Sequence, residues 1–218
     1  MSQFINRKGE LAALEKFYAS GSPGMVVVWG RRRVGKTSLL TEFAKGKRHF
    51  YYLSKKLPLE SQPRDFAARF ASERGDYTPD LAKWEEAVDY VLSRIDGRAL
   101  LIVDEFPYLI EGDDSIPSIW QSLWDTGLSK RDVMLVLMGS SVSMMERDVL
   151  GPKSPLYGRR TGQIKLEQLG YRDARHFFPD WGLEDCMRAY AVLGGVPAYL
   201  KRFSSSSGLW ENIAAKIL

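Results

Sequence analysis

The chain has 218 residues, a formal net charge of +4, a hydrophobic fraction of 44% and a single cysteine, Cys186. That length admits one large or two small domains, and one cysteine excludes an internal disulfide and a cysteine-rich metal site. No apolar run reaches the ~20 residues of a membrane span, and residues 1–8 lack a hydrophobic signal region. The composition therefore predicts a cytoplasmic protein with no membrane partner.

The predicted elements alternate between helices and strands along most of the chain. An opening helix is predicted over 7–19. Short apolar runs predict strands at 25–29, 49–53, 99–103, 133–138 and 164–166. Helical spacing predicts helices at 37–44, 63–74, 81–95 and 116–128. This alternation predicts an α/β fold with a parallel sheet covered on both faces, followed by helical segments at 171–178, 183–193, 197–203 and from 209.

The octet that runs from Gly30 to Thr37 fits the phosphate-loop pattern G-x-x-x-x-G-K-[ST], between a predicted strand and a predicted helix. Gly30 and Gly35 let successive backbone N–H groups face phosphate oxygens, and the following helix adds the positive end of its dipole. Lys36 can reach the β- and γ-phosphates, and the Thr37 hydroxyl can ligate Mg²⁺. The sequence therefore predicts binding of ATP or ADP through Gly30, Arg31, Arg32, Arg33, Val34, Gly35, Lys36, Thr37 and Ser38.

Two acids follow the buried strand at 99–103 and predict hydrolytic chemistry. Asp104 is expected to hold Mg²⁺ through water or beside Thr37, and Glu105 to act as general base for the attacking water. The strand at 49–53 intervenes between the phosphate loop and this pair, a pattern of the additional-strand, catalytic-glutamate P-loop ATPases. Ser140, which follows the next strand, is expected to sense the γ-phosphate.

Several short blocks occur in a characteristic order along the chain. They are the Asn-Arg-Lys-Gly-Glu-Leu opening at 6–11, the phosphate loop, Asp-Glu at 104–105, Gly-Ser-Ser at 139–141, Pro-Leu-Tyr-Gly-Arg at 155–159 and Gly-Gly-Val-Pro at 194–197. In this order the chain resembles the archaeal-type ATPases of the STAND branch, relatives of AAA+ proteins. The resemblance implies a five-stranded sheet in the order 5-1-4-3-2, a small C-terminal helical lid and a nucleotide-dependent switch.

The resemblance also implies roles for residues far from the phosphate loop. It places Ile5, Asn6 and Arg7 near the adenine, and Pro197 of the lid on the other side of the nucleotide. It places an arginine, Arg159 or its neighbour Arg160 with Arg159 the better match, where it could stabilise the transition state in cis or in a neighbouring subunit, which allows self-association. The expected domains are an ATPase core over 1–168 and a lid over 169–218, with further C-terminal domains beyond the given sequence.

The leading functional hypothesis is a Mg²⁺-dependent ATPase that acts as a nucleotide-driven switch. The sequence leaves open an ATP-binding scaffold with little turnover and a DNA-associated initiator-like or mobile-element ATPase. A small-molecule kinase is a weaker alternative, because no acceptor site is evident. Much of the positive charge lies in the phosphate loop, so the charge alone does not establish DNA binding.

Overall fold

The computed structural model describes residues 4–217. Five strands are present: β1 (Gly24–Trp29), β2 (His49–Leu53), β3 (Ala99–Asp104), β4 (Val133–Gly139) and β5 (Gly162–Lys165). They form one parallel sheet in the spatial order β2-β3-β4-β1-β5. The predicted order 5-1-4-3-2 is confirmed, since it is the same sheet read from the opposite edge.

Helices cover both faces of the sheet. They are α1 (Lys8–Ala19), α2 (Lys36–Ala44), α3 (Ser61–Arg74), α4 (Trp84–Leu92), α5 (Phe106–Gly112), α6 (Ile116–Thr126) and the short α7 (Val142–Met144). Alternate strand residues point to opposite faces, so each face builds its own apolar cluster. Buried residues of α1 and α2 pack on one face, and those of α3 to α6 pack on the other.

The sheet's register decides where the functional loops meet. Every residue of β1, β3 and β4 is buried, as their continuous apolar sequences predict. Trp29 of β1 pairs with Gly139 of β4, and Val103 of β3 pairs with Leu137. Because the strands are parallel, the loops that follow them emerge together at one edge, which we call the carboxyl edge.

The C-terminal helices have an apolar cluster of their own. They are α8 (Tyr171–Ala174), α9 (Leu183–Leu193), α10 (Pro197–Leu200) and α11 (Leu209–Lys216). Their buried side chains include Ala174, Ala189 and Leu200. The domain boundary expected after residue 168 stays a prediction, and the outer ends of the two expected ranges, residues 1–3 and 218, lie outside the described residues. Within 4–217, every helix is too short or too polar to cross a bilayer.

Several segments differ from the sequence prediction. Helix α5 was not predicted, although Pro107 lies in its first turn, where proline is well tolerated. The predicted helix at 171–178 is a single α-helical turn followed by a 3₁₀ turn, Arg175–Phe177. Strand β5 begins two residues before the predicted 164, and it is an edge strand with no fully buried residue.

Candidate nucleotide-binding site

The phosphate loop joins β1 to α2 and depends on two glycines. Gly30 and Gly35 have φ of 149° and 100°, conformations that residues with a side chain rarely adopt. A Cβ placed on Gly30 would lie 2.2 Å from the carbonyl oxygen of Leu166, just beyond β5. Either glycine replaced by a larger residue would therefore strain the backbone that presents N–H groups to an anion.

Lys36 lies folded over the loop that precedes it. Its side chain is buried, and its Nζ donates hydrogen bonds to the carbonyl oxygens of Gly30 at 2.9 Å and Arg31 at 3.0 Å. Burial lowers the pKa of Lys36, the carboxylates of Glu105 and Asp104 oppose that shift, and the charge of Arg32 adds to it. The ammonium group is thus held at the loop by two neutral acceptors that a phosphate could replace.

Asp104 ends β3 with its carboxylate against the phosphate loop. Thr37 Oγ1 donates to Asp104 Oδ2 at 3.2 Å, Tyr51 of β2 donates to the same oxygen, and the backbone N–H of Glu105 donates to Oδ1 at 2.7 Å. Burial raises the pKa of Asp104, and the three hydrogen bonds oppose that shift.

The donor set at Asp104 fits a magnesium ion that arrives with a nucleotide. A carboxylate and a hydroxyl are the oxygen ligands that Mg²⁺ prefers, and Mg²⁺ bound to nucleotide phosphates needs only one or two protein ligands. Within residues 4–217, no cluster of three or more histidine, cysteine or acidic residues could hold a metal. One carboxylate and one hydroxyl are as many protein ligands as a metal shared with nucleotide phosphates needs.

Glu105 lies at the start of α5 in a left-handed conformation, with φ of 50°. This backbone turn directs its carboxylate towards the end of β4. There the Ser140 hydroxyl donates to Glu105 Oε1, and the Ser140 backbone N–H donates to Oε2 at 3.2 Å. The structure thus brings together the two residues that the sequence predicts as base and sensor.

Two cavities meet at the phosphate loop. The smaller, about 230 Å³, is lined by Arg32, Arg33, Gly35, Lys36, Thr37, Ser38, Glu105 and Ser140. The larger, about 280 Å³, is lined by Phe4, Ile5, Arg7, Val34, Gly35, Thr37, Ser38, Thr41, Glu42, Lys45, Leu169, Phe177, Pro197 and Lys201. They share three loop residues, so a nucleotide could extend from one into the other. The smaller cavity suits phosphates, and the larger suits a base and sugar.

The N-terminal segment borders the larger cavity in part. Ile5 and Arg7 line it, whereas Asn6 does not; the Asn6 side chain instead accepts a 3.4 Å hydrogen bond from the Lys8 backbone N–H. The Arg7 guanidinium is occupied by protein groups. It donates to the carbonyl oxygens of Val34 at 3.0 Å and Glu167 at 2.6 Å, and pairs with Glu10 at 2.9 Å.

Arg159 lies at the opposite end of the sheet from the phosphate loop. The nearby Thr161 backbone N–H donates to the carbonyl oxygen of Met25, at the start of β1. Arg159 itself makes an ion pair with Asp125 at 2.7 Å, near the end of α6. A contact in cis with a bound phosphate, one of the two options expected, does not agree with this placement. A role in a neighbouring subunit stays a prediction.

Sequence reasoning missed several residues at the site. Tyr51 contacts Asp104 because β2 and β3 are neighbours, and Tyr108 of α5 accepts a hydrogen bond from Arg32 at 2.9 Å. Phe177 and Thr41 line the larger cavity. Strand order and period-two alternation could have indicated Tyr51, since Leu53 and Tyr51 lie on the same face of β2. The sequence carries no comparable signal for Phe177.

Comparison with known sequences identifies a family of ATPase domains. The sequence model of a family described as an ATPase domain predominantly from Archaea matches residues 4–203. An uncharacterized protein of Methanocaldococcus jannaschii is 35% identical over 201 residues, which are 91% of this chain and 44% of that protein. The chain therefore spans less than half the length of this relative.

Solved structures share the fold at low sequence identity. A Walker-type ATPase of Pyrococcus abyssi matches with a TM-score of 0.72 at 18% identity, over 97% of this chain and 71% of that one. The Aeropyrum pernix ORC1 protein in complex with DNA matches at 0.65 and 15% identity, over 100% and 61%. A STAND protein with a tetratricopeptide repeat sensor from Pyrococcus horikoshii matches at 0.61 and 18% identity, over 100% and 33%.

These matches agree with the blocks that the sequence analysis found in order along the chain. Because the family match extends over residues 4–203, it includes the phosphate loop, Asp104, Glu105 and the Gly-Gly-Val-Pro turn. The structural neighbours of the chain are P-loop ATPases, which include a STAND protein and ORC1. The chain belongs to the predominantly archaeal ATPase-domain family.

Proposed function

We propose that this chain binds ATP together with Mg²⁺, hydrolyses it to ADP and phosphate, and thereby switches the position of its C-terminal helices. One observation carries the proposal: Lys36, Thr37, Glu105 and Ser140 line a single cavity at the carboxyl edge. This set combines a phosphate-binding cation, a metal-ligating hydroxyl, a general base and a polar group that orients the base.

The proposed reaction is attack of water on the γ-phosphorus of ATP. Glu105 accepts the proton of that water as the new P–O bond forms, and the bond between the γ-phosphorus and the β–γ bridging oxygen breaks to release ADP. Ser140 donates to both Glu105 oxygens, so it holds the carboxylate in one orientation before the nucleotide arrives. Mg²⁺, held by Thr37 and Asp104, would neutralise charge on the phosphates.

Adenine and ribose are assigned to the larger cavity, between Ile5 and Pro197. Pro197 belongs to α10 and also lies over the phosphate loop, since a Cβ on Gly35 would lie 3.9 Å from Pro197 Cγ. The Arg33 guanidinium of the loop lies 5.6 Å from the ring centroid of Tyr199, also in α10. These contacts between the loop and the C-terminal helices support a switch that responds to the phosphates.

The test compares Glu105→Gln with the parent chain and with the control Glu111→Gln. Glu111 lies in α5, the helix that follows Glu105, and its carboxylate pairs with Lys56. Glu105→Gln keeps the side chain's size but cannot accept the proton, so ATP affinity should persist while single-turnover hydrolysis falls at least ~100-fold. Glu111→Gln should hydrolyse ATP at the parent rate. Equal rates in all three proteins would remove Glu105 as the base, and no hydrolysis by the parent would favour the scaffold alternative.

A second candidate function is a DNA-associated ATPase, because the fold matches that of an ORC1 protein solved in complex with DNA. The net charge of +4 is compatible with phosphate contacts. DNA binding should then weaken linearly in log affinity against log salt concentration, and no binding at low salt would reject this candidate. Self-association and a cytoplasmic location are carried over from the sequence as parts of the proposal.

A further inference from the structure

The phosphate loop carries three consecutive arginines whose side chains have different environments. Within residues 4–217, the Arg31 side chain has no polar partner. Arg33 lies over the Tyr199 ring of α10. Arg32 alone of the three contacts α5, the helix that follows Glu105: its Nη2 donates to the Tyr108 hydroxyl at 2.9 Å. The three arginines therefore carry the same charge but have different surroundings.

Tyr108 is fixed relative to the proposed base. Its backbone N–H donates to the carbonyl oxygen of Glu105 at 2.8 Å, in the first turn of α5. Arg32 and Glu105 also line the same small cavity as Lys36. Arg32 and Lys36 therefore bring two positive charges to one cavity, where they repel each other. An anion is the ligand that would relieve this repulsion.

We infer that Arg32 contacts the γ-phosphate of bound ATP in cis, stabilises the charge of the transition state, and is held in position by Tyr108. The inference rests on the proposed function and deepens it. As the bond to the bridging oxygen breaks, negative charge spreads over the equatorial oxygens of the transferred group. The planar guanidinium presents several N–H donors to such oxygens and stays charged at any physiological pH.

Arg159 does not supply the arginine for the phosphates of its own chain. Arg159 is at the far end of the sheet, paired with Asp125, and cannot supply charge to the phosphates of its own chain in this arrangement. The phosphate loop supplies an arginine instead, from a segment already in place when the nucleotide binds. The alternative is that Arg32 makes only a surface hydrogen bond with Tyr108, which would contribute little to stability or turnover, as exposed pairs usually do.

The deciding experiment measures two quantities for the parent, Arg32→Ala, Arg32→Lys and the control Arg69→Ala. Arg69 carries the same charge but pairs with Glu73 on α3. The first quantity is single-turnover ATP hydrolysis with Mg²⁺, and the second is affinity for ADP with and without aluminium fluoride, a mimic of the transferred phosphoryl group. Arg32→Ala should lose about 10³-fold in turnover and a comparable factor in aluminium fluoride-dependent affinity, with ADP affinity unchanged.

The Arg32→Lys variant should recover only part of the loss, because a point charge cannot reproduce the planar donor arrangement. The Arg69→Ala control should behave as the parent. Parent-like turnover and aluminium fluoride affinity in Arg32→Ala would overturn the inference, and if Glu105→Gln is slow in the same assays the proposed function stands without it. If the parent does not hydrolyse ATP, the proposed hydrolysis is wrong. If its aluminium fluoride-dependent affinity for ADP nevertheless requires Arg32, the contact between Arg32 and the phosphate is supported.

Tyr108 has its own test as a positioning residue. Tyr108→Phe removes the hydroxyl that accepts from Arg32, and turnover should fall ~10-fold, the scale of one hydrogen bond, with unchanged KM and ADP affinity. If Tyr108 acts only through Arg32, the same substitution should have no effect in the Arg32→Ala background. An equal loss in both backgrounds would show that Tyr108 acts independently of Arg32 and would overturn the positioning role.

Discussion

Replacement of Arg7 by alanine is expected to destabilise the fold and weaken nucleotide binding at the same time. Arg7 is 8% exposed, and its guanidinium joins three segments: the opening helix through Glu10, the phosphate loop through Val34, and the link after β5 through Glu167. The phosphate loop and the link after β5 line the larger cavity through Val34 and Leu169. The side chain was predicted to lie near the adenine, and its hydrogen-bond partners are protein groups.

The magnitude follows from the groups that the substitution leaves unpaired. A buried carbonyl that loses its hydrogen-bond partner costs ~1–3 kcal/mol, and two carbonyls therefore cost about 2–6 kcal/mol. The part-exposed pair with Glu10 contributes under ~1 kcal/mol. Water that enters the vacated space recovers part of this sum. We expect a net loss of about 3 kcal/mol, which for a chain of this size lowers Tm by roughly 6–12 °C.

The assay is thermal unfolding combined with ADP titration, on Arg7→Ala, Arg7→Lys and the control Arg69→Ala. Arg69 pairs with Glu73 on the exposed face of α3, so its loss should cost under ~0.5 kcal/mol. Arg7→Lys keeps the charge but offers one nitrogen in place of two, so it should fall between the parent and Arg7→Ala. A Tm for Arg7→Ala equal to that of Arg69→Ala would refute the reasoning.

Three further predictions concern the site and the distant arginine. Lys36→Ala should abolish tight ATP binding in an equilibrium titration, because the loop loses its buried cation; unchanged affinity would contradict the phosphate-loop assignment. Asp104→Asn should raise the stability of the nucleotide-free chain by ~1 kcal/mol while removing stimulation by Mg²⁺, and a destabilised variant would argue against a strained carboxylate. Arg159→Ala should keep the parent turnover in dilute solution; slowing that appears only as protein concentration rises would support action in a neighbouring subunit.

The sign of the Asp104 prediction follows from its pKa. Burial raises that pKa above the ordinary value, so the folded chain binds the proton more tightly than the unfolded chain does. The contribution of this group to stability is therefore greatest at acidic pH and is lost as pH rises through the raised pKa. Asparagine has no charge to bury, so the gain from Asp104→Asn should appear near neutral pH and disappear in acid. Thermal unfolding at both pH values measures it.

The strands of the sheet were predictable because the central ones have continuous apolar sequences, which indicate buried strands. Strands β1, β3 and β4 are apolar along their whole length and are buried at every position. Edge strand β5 alternates between half-buried and exposed residues, so the sequence placed it two residues late. Helix α5 escaped prediction because it follows β3 immediately and has only seven residues, too few for two full periods of helical spacing. The strand order came from the family resemblance.

Site residues were predictable where they lie in one continuous segment and were not predictable where their contacts join distant parts of the chain. The phosphate loop is one continuous segment, so its spacing already fixes which residues face an anion. The contact from Arg7 to Glu167 joins residues 160 positions apart, and only the folded chain can show it. Arg159 lies in a segment that crosses from the end of β4 to the start of β5, at opposite edges of the sheet. Its position in sequence did not reveal at which edge it lies.

The candidate site buries two ionisable side chains of opposite charge. Lys36 and Asp104 are 6% and 4% exposed, and burial shifts the pKa of each towards its neutral form. Each group is therefore harder to charge in the folded chain than in water. Their present partners are backbone carbonyls and hydroxyl or amide hydrogens, whereas a phosphate and a metal would offer each a full opposite charge. These opposite charges would offset the cost of burying Lys36 and Asp104, which favours binding of a metal–nucleotide complex at this site.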